Sequence, residues 1–254
     1  MEDFSRLKAD VILKKGSIDE YQKAISFFWN ELVKLNTNIF IIKKIYEFPF
    51  SIFCSPGDTV FFPMVVENFY EYSVLIVTKL VEDKKGDVYT LRKFKKWIYN
   101  QVKPTYKLDF QNWLKKSKFD LGTEKILSNA VDLRKKIIAH FNKNLLFGKG
   151  TVKHLSIEEL EKLRDRLNAV LDTLSFSVKY MMLPLPYNEN VIHPKGDNHQ
   201  TDIEALLDSV AKNSKLLDMP EDSPEKWKFA KESFNKEIIK ILNKYRKRFN
   251  LPEV

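Results

Sequence analysis

Between Ile18 and Phe48 apolar residues fall at helical intervals, through Ile25, Phe28, Trp29, Leu32, Leu35, Ile39, Ile42 and Ile45. Steps of three and four residues line one face of a helix, whereas a strand changes face at every residue. The spacing therefore predicts a long helix packed on a core, stopped by Pro49, whose ring cannot continue it. Turn-forming residues are too scarce for a β architecture: 7 glycines and 10 prolines in 254 residues do not supply a turn every ~8–12 residues, as a sandwich, barrel or propeller requires. The expected fold class is all-α.

The segment PFSIFCSPGDTVFFP, from Pro49 to Pro63, reads as a rigid connection into a second, strongly apolar helix that ends by Gly86. Thr90 is placed to cap a short helix over LRKFKKWIYNQV, which stops before Pro104, and a further turn or two is expected through FQNWLKKSK. Thr123 opens a helix whose apolar face runs through Ile126, Leu127, Ala130, Val131, Leu133, Ile137, Ile138 and Phe141, fading near Gly148. Ser156 with Glu159, and Thr201 with Glu204, have the capping-box spacing in which each side chain satisfies the other's backbone N–H. The first pair starts a helix expected to reach Met182, and Ser223 before Pro224 starts a final one through Trp227, Phe234 and Leu242. Three prolines and a glycine in PLPYNENVIHPKGDNHQ break the periodicity. The expected organisation is a bundle over residues 1–183, an exposed linker over 184–200 and a helical extension over 201–254.

Composition narrows the partners. The chain carries 43 Lys and Arg against 34 Asp and Glu, a formal charge of +9, which favours polyanionic partners. The most apolar window, from Pro63 to Leu80, is interrupted by Glu67, Glu71 and Lys79, so no membrane span is expected. The single Cys54 forms no intramolecular disulfide, and the N-terminal residues lack the apolar stretch of a secretory signal, which points to the cytoplasm.

The stretch VDLRKKIIAHFNKN sets Arg134 and His140 on one helix with five residues between them. Upstream, TKLVEDKKGDVYTLRKF and the aromatic-rich FFPMVVENFYEY precede that helix in the same order. Across about residues 20 to 180 the chain resembles the HEPN superfamily, whose helical bundle carries an arginine, four to six residues and a histidine, and in particular its abortive-infection (AbiU-like) branch. The resemblance implies a HEPN-like bundle acting as a metal-independent endoribonuclease. It further implies a homodimer, the arginine and histidine of both subunits meeting in a cleft, and a setting in phage defence or a toxin-antitoxin system with an antitoxin protein as partner. No cofactor is implied. Arg134 and His140 are then the catalytic pair, with Lys135, Lys136 and Lys143 beside them as RNA contacts.

The residue types suit the chemistry. Attack by a 2′-hydroxyl needs a group that titrates near neutrality, and histidine has an unperturbed pKa of ~6.5. A phosphate gaining a fifth ligand needs fixed cations, and guanidinium supplies a planar pair of donors. On a straight helix, six positions set the two side chains about 120° apart, so one helix aims both at a single phosphate only where its backbone is distorted or a second copy completes the site. The alternative is a non-catalytic dimeric HEPN-fold module that binds RNA or protein, favoured by Lys135 and by the lack of a clear acidic partner for the pair. In a purely structural arrangement, Arg134 pairs with Asp132 or a neighbouring acid. Glu67, Asn68 and Glu71 are the side chains on the second helix able to orient the pair.

From Lys84 to Lys118 there are 11 Lys or Arg and 2 acids, interleaved with Tyr89, Phe94, Trp97, Tyr99, Tyr106, Phe110 and Trp113. Arg92, Lys95 and Lys96 are the candidate phosphate contacts, although lysines opposite aromatics also describe an ordinary amphipathic surface helix. The cluster KYRKRF from Lys244 suits a helix C-terminus. His193, Asp197 and His199 lack a fourth ligand, so no metal site is expected. The GKG at Gly148 lacks the remainder of a phosphate loop.

Overall fold

The computed structural model describes Phe4, Glu253, Leu217 and residues 7–82, 89–116, 124–135, 153–176, 201–214 and 236–251. These form eight helices of ten residues or more: α1 (Ile18–Glu47), α2 (Phe61–Val81), α3 (Leu91–Gln101), α4 (Lys107–Lys116), α5 (Glu124–Leu133), α6 (Ile157–Leu174), α7 (Asp202–Lys212) and α8 (Lys236–Arg248). Single turns at Ala9–Ile12, Phe50–Phe53, Pro56–Thr59 and Pro104–Tyr106 join them. The chain is all-α; among the described residues β pairing is confined to one isolated bridge, Leu13 to Val102.

Two compact units divide the chain, one of Met1–Ile42 with Glu67–Ile192, the other of Lys43–Val66 with His193–Val254. This groups residues 43–66 with the C-terminal region, whereas the sequence placed them in the first bundle. The division falls inside α1 and α2, whose unbroken periodicity gives no sign of it. Residues 184–200, expected to form a linker, lie outside the described residues.

In the first unit the α1 stripe is buried as its spacing requires: Phe28, Leu32 and Leu35 have no exposed surface. They pack with Val74, Val77 and Leu80 of α2, Phe94 and Ile98 of α3, and Leu163, Leu167 and Leu171 of α6. Each such side chain contributes roughly 1.5–3 kcal/mol. Helix starts follow local chemistry. The Thr90 hydroxyl accepts from the Lys93 N–H at 3.2 Å, and both reciprocal bonds of the capping boxes at Ser156 with Glu159 and Thr201 with Glu204 are formed. Residues 110–116 of FQNWLKKSK belong to a ten-residue helix rather than a turn or two, and Ser117 and Lys118 lie outside the described residues.

The sixth helix ends at Leu174, eight residues short of the expected Met182. Phe176 takes a left-handed backbone, φ 31°, which costs a non-glycine residue roughly 1–2 kcal/mol. The turn carries its ring into the core beside Tyr21 at 5.5 Å and Phe110 at 5.8 Å, and burial of the ring offsets the strain. Hydrogen bonds seal this helix end: the Tyr21 hydroxyl donates to the Leu174 carbonyl at 2.9 Å and Trp113 Nε1 to the Thr173 carbonyl at 3.0 Å.

In the second unit, Phe48, Phe53 and Tyr245 form an aromatic cluster with ring centroids 4.7–6.1 Å apart. Ion pairs of Lys44 with Glu204 and Arg248 with Asp208, at 2.7 and 2.8 Å, flank it. Arg248 of the basic KYRKRF cluster thus serves a specific carboxylate as well as the helix terminus. Among the described residues, no helix is long and apolar enough to cross a membrane.

Candidate functional site

Two helix ends in the first unit converge on Arg134. Ala130 and Leu133 of α5 are 0–1% exposed, so packing fixes the last turn of that helix and with it the residue that follows. Glu82 lies just past α2, held by its own N–H, which donates to the Thr78 carbonyl at 2.9 Å. Arg134 Nη1 donates to Glu82 Oε2 at 2.6 Å. Lys135 Nζ stands 3.4 Å from the other carboxylate oxygen. The arginine and glutamate side chains are only 15% and 14% exposed, the lysine 53%.

Two features set this arginine apart from a surface ion pair. Its Nε is buried and makes no hydrogen bond among the described residues, although an unmet buried donor costs roughly 1–3 kcal/mol. The backbone also changes at this point, with Arg134 and Lys135 in a wider turn of π-helical form rather than in the α-helix that precedes them. Such turns depart from regular α geometry and occur often at functional sites. Two adjacent cations share one carboxylate at this point.

Comparison of the chain with protein-family models, curated proteins and solved structures finds no match.

The remaining candidates distribute as follows. His140, Lys136 and Lys143 lie outside the described residues, as do His193, Asp197 and His199. Arg92, Lys95 and Lys96 come together on one wall of an open groove between α3 and α4, on different helices from the arginine site. Glu67 and Asn68 are exposed and Glu71 half-buried. The carboxylate on Arg134 is instead Glu82, which corrects the expectation that the site lacks an acidic partner. Glu82 stands in the quoted segment TKLVEDKKGDVYTLRKF, but 52 positions separate it from the arginine and no local spacing rule connects them.

Other polar groups near the core have structural duties. The Tyr70 hydroxyl donates to the Leu155 carbonyl at 3.1 Å and accepts the Leu155 N–H at 2.8 Å, pinning the segment before α6, with the His154 ring 6.2 Å from its own. Burial raises the Glu31 carboxyl, but hydrogen bonds and charge from Lys34 and Lys79 outweigh it and hold the group below its ordinary pKa. The Tyr89 phenol is pushed up to about 12, first by burial and then by Glu20. No group of three or more His, Cys, Asp or Glu able to hold a metal ion occurs among the described residues.

Proposed function

We propose that this protein is a metal-independent endoribonuclease of HEPN type, working as a homodimer, with Arg134 holding the scissile phosphate and His140 moving protons. The observation that carries the reading is the state of Arg134: it is tethered through Nη1 to Glu82, beside Lys135, whose exposed ammonium faces the same carboxylate. The tether fixes the guanidinium before substrate arrives, so little ordering is left to do when its accessible edge meets a phosphate. The 2′-oxygen attacks phosphorus, the bond to the 5′-oxygen breaks, and the proton lost by the first oxygen is matched by one gained by the second. An imidazole near neutral pH performs such transfers. The products are a 2′,3′-cyclic phosphate and a 5′-hydroxyl. A cytoplasmic setting in phage defence or beside an antitoxin protein belongs to this reading through the HEPN resemblance.

A second reading, a dimeric HEPN-fold module that binds RNA or protein without cutting it, is favoured by Lys135, whose ammonium faces the same carboxylate as Arg134. Arg134→Lys separates the two. It keeps the charge and loses the planar donor pair, so the enzyme reading predicts cleavage reduced by about 10²-fold or more. End-group analysis checks the cyclic phosphate. A strictly monomeric chain in light scattering contradicts the shared cleft.

A further inference from the structure

We propose that the groove between α3 and α4 docks a single-stranded polynucleotide, gripping its phosphates along α3 and stacking a base on Tyr99. The choice of RNA as its occupant rests on the ribonuclease reading; the docking itself rests on the groove.

The groove measures about 630 Å³ and is lined on α3 by Arg92, Lys93, Lys95, Lys96 and Tyr99, with Gln111 and Leu114 of α4 opposite. None of these lining residues is acidic, and α3 as a whole contains neither Asp nor Glu. The arrangement runs against what helix stability alone selects. Arg92 and Lys93 stand in the first turn of α3, which lacks an acidic residue, at the helix end where the backbone dipole favours negative charge. A polyanion entering the groove meets these cations at one of its ends.

Tyr99 is held in place before any ligand arrives. Gln111 Nε2 donates to its hydroxyl at 3.2 Å, Lys107 Nζ stands over one face of the ring, 5.2 Å from its centroid, and the ring, half-buried against the core, keeps part of its surface on the groove. A fixed ring beside a row of cations is the usual platform for single strands, because every base has a face that stacks. A lipid surface fits poorly. A helix lying on a membrane turns its apolar residues outward, whereas Leu91, Phe94 and Ile98 of α3 are 0–1% exposed and belong to the core. Duplex recognition would leave the ring without a function, since its bases are already stacked.

The test is fluorescence anisotropy with the full chain and a labelled 2′-O-methyl poly-uridine strand of about 15 nucleotides, comparable to the longest single-fold binding sites. This probe cannot be cut by 2′-hydroxyl attack. The wild type binds, and its affinity falls steeply between about 50 and 200 mM salt. Replacing the exposed pair, Arg92→Gln with Lys96→Gln, weakens binding at least tenfold and flattens the salt slope by about 1.4, or 0.7 per lost phosphate contact. Tyr99→Ala binds at least fivefold more weakly, and Tyr99→Phe, which keeps the ring but loses the bond from Gln111, falls between it and the wild type. Circular dichroism checks folding, and Lys95→Gln with Lys96→Gln, which spares the first turn of α3, repeats the measurement if the first pair does not fold.

A deoxythymidine strand bound equally well supports the groove through charge and stacking alone, and tighter binding of the RNA analogue supports it with a ribose contact. Wild-type affinity in both glutamine pairs overturns the proposal. So does binding to phosphatidylserine vesicles, lost in the same variants, by a chain that binds no strand. If the chain cuts RNA and the groove variants bind normally, this proposal fails alone; if the groove binds and no cleavage occurs, the ribonuclease reading fails alone.

Discussion

Removing the Glu82 carboxylate tests how firmly the guanidinium is held. The N–O distance of 2.6 Å and exposures near 15% place the Arg134 pair close to the buried limit, where loss of one partner costs roughly 3–5 kcal/mol because the other charge stays behind. Solvent reaches part of the pair, and fully exposed pairs contribute only about 0.2–1 kcal/mol. Glu82→Ala is therefore expected to cost about 2–4 kcal/mol. Glu82→Gln retains an oxygen that accepts from Nη1 and exchanges a charged hydrogen bond for a neutral one, a loss of about 1–2 kcal/mol. Urea unfolding at pH 7 of Glu82→Ala, Arg134→Met and the double variant measures the coupling directly. The account predicts a coupling of at least ~1.5 kcal/mol and a loss of cleavage in Glu82→Gln despite an intact Arg134. A coupling below about 0.5 kcal/mol, the level of an exposed pair, refutes the claim that Glu82 positions the arginine.

Three further predictions concern the scaffold. The Glu31 carboxyl, raised by burial but lowered further by Lys34 and Lys79, lies below its ordinary value when folded; its stabilisation is complete above the unfolded pKa of ~4.3 and disappears as pH falls through the folded one. Urea midpoints between pH 6 and 3 should therefore drop more for the wild type than for Glu31→Gln, and parallel curves contradict the assignment. The Tyr89 hydroxyl is buried without a hydrogen bond among the described residues, so Tyr89→Phe should raise stability by about 1 kcal/mol in thermal melts, and a loss of that size contradicts it. Tyr21→Phe removes the donor to the Leu174 carbonyl and should cost about 1–2 kcal/mol by urea unfolding; no change means the carbonyl finds another donor.

What the sequence made legible was local. Thr90, Ser156 with Glu159 and Thr201 with Glu204 each act within four residues, and all three caps are formed as their spacing predicts. The α1 stripe was equally plain, since burial of one face repeats with the helix period. Long-range chemistry was not. Glu82 meets Arg134 across 52 positions, and residues 43–66 join the C-terminal region although their helices continue into the first unit. The early end of α6 depends on the Phe176 ring finding a place beside Tyr21 and Phe110, a tertiary preference that apolar periodicity alone does not show. Of the candidate pair, the structure describes the arginine half, together with a carboxylate that sequence spacing alone did not single out.

Digestion of RNA in the presence of EDTA by the wild-type chain and by His140→Ala tests the central claim most directly. The account predicts metal-free cleavage by the wild type, with cyclic phosphate ends, that falls to background in the alanine variant. Equal background in both proteins, with both folded and able to bind RNA, contradicts it.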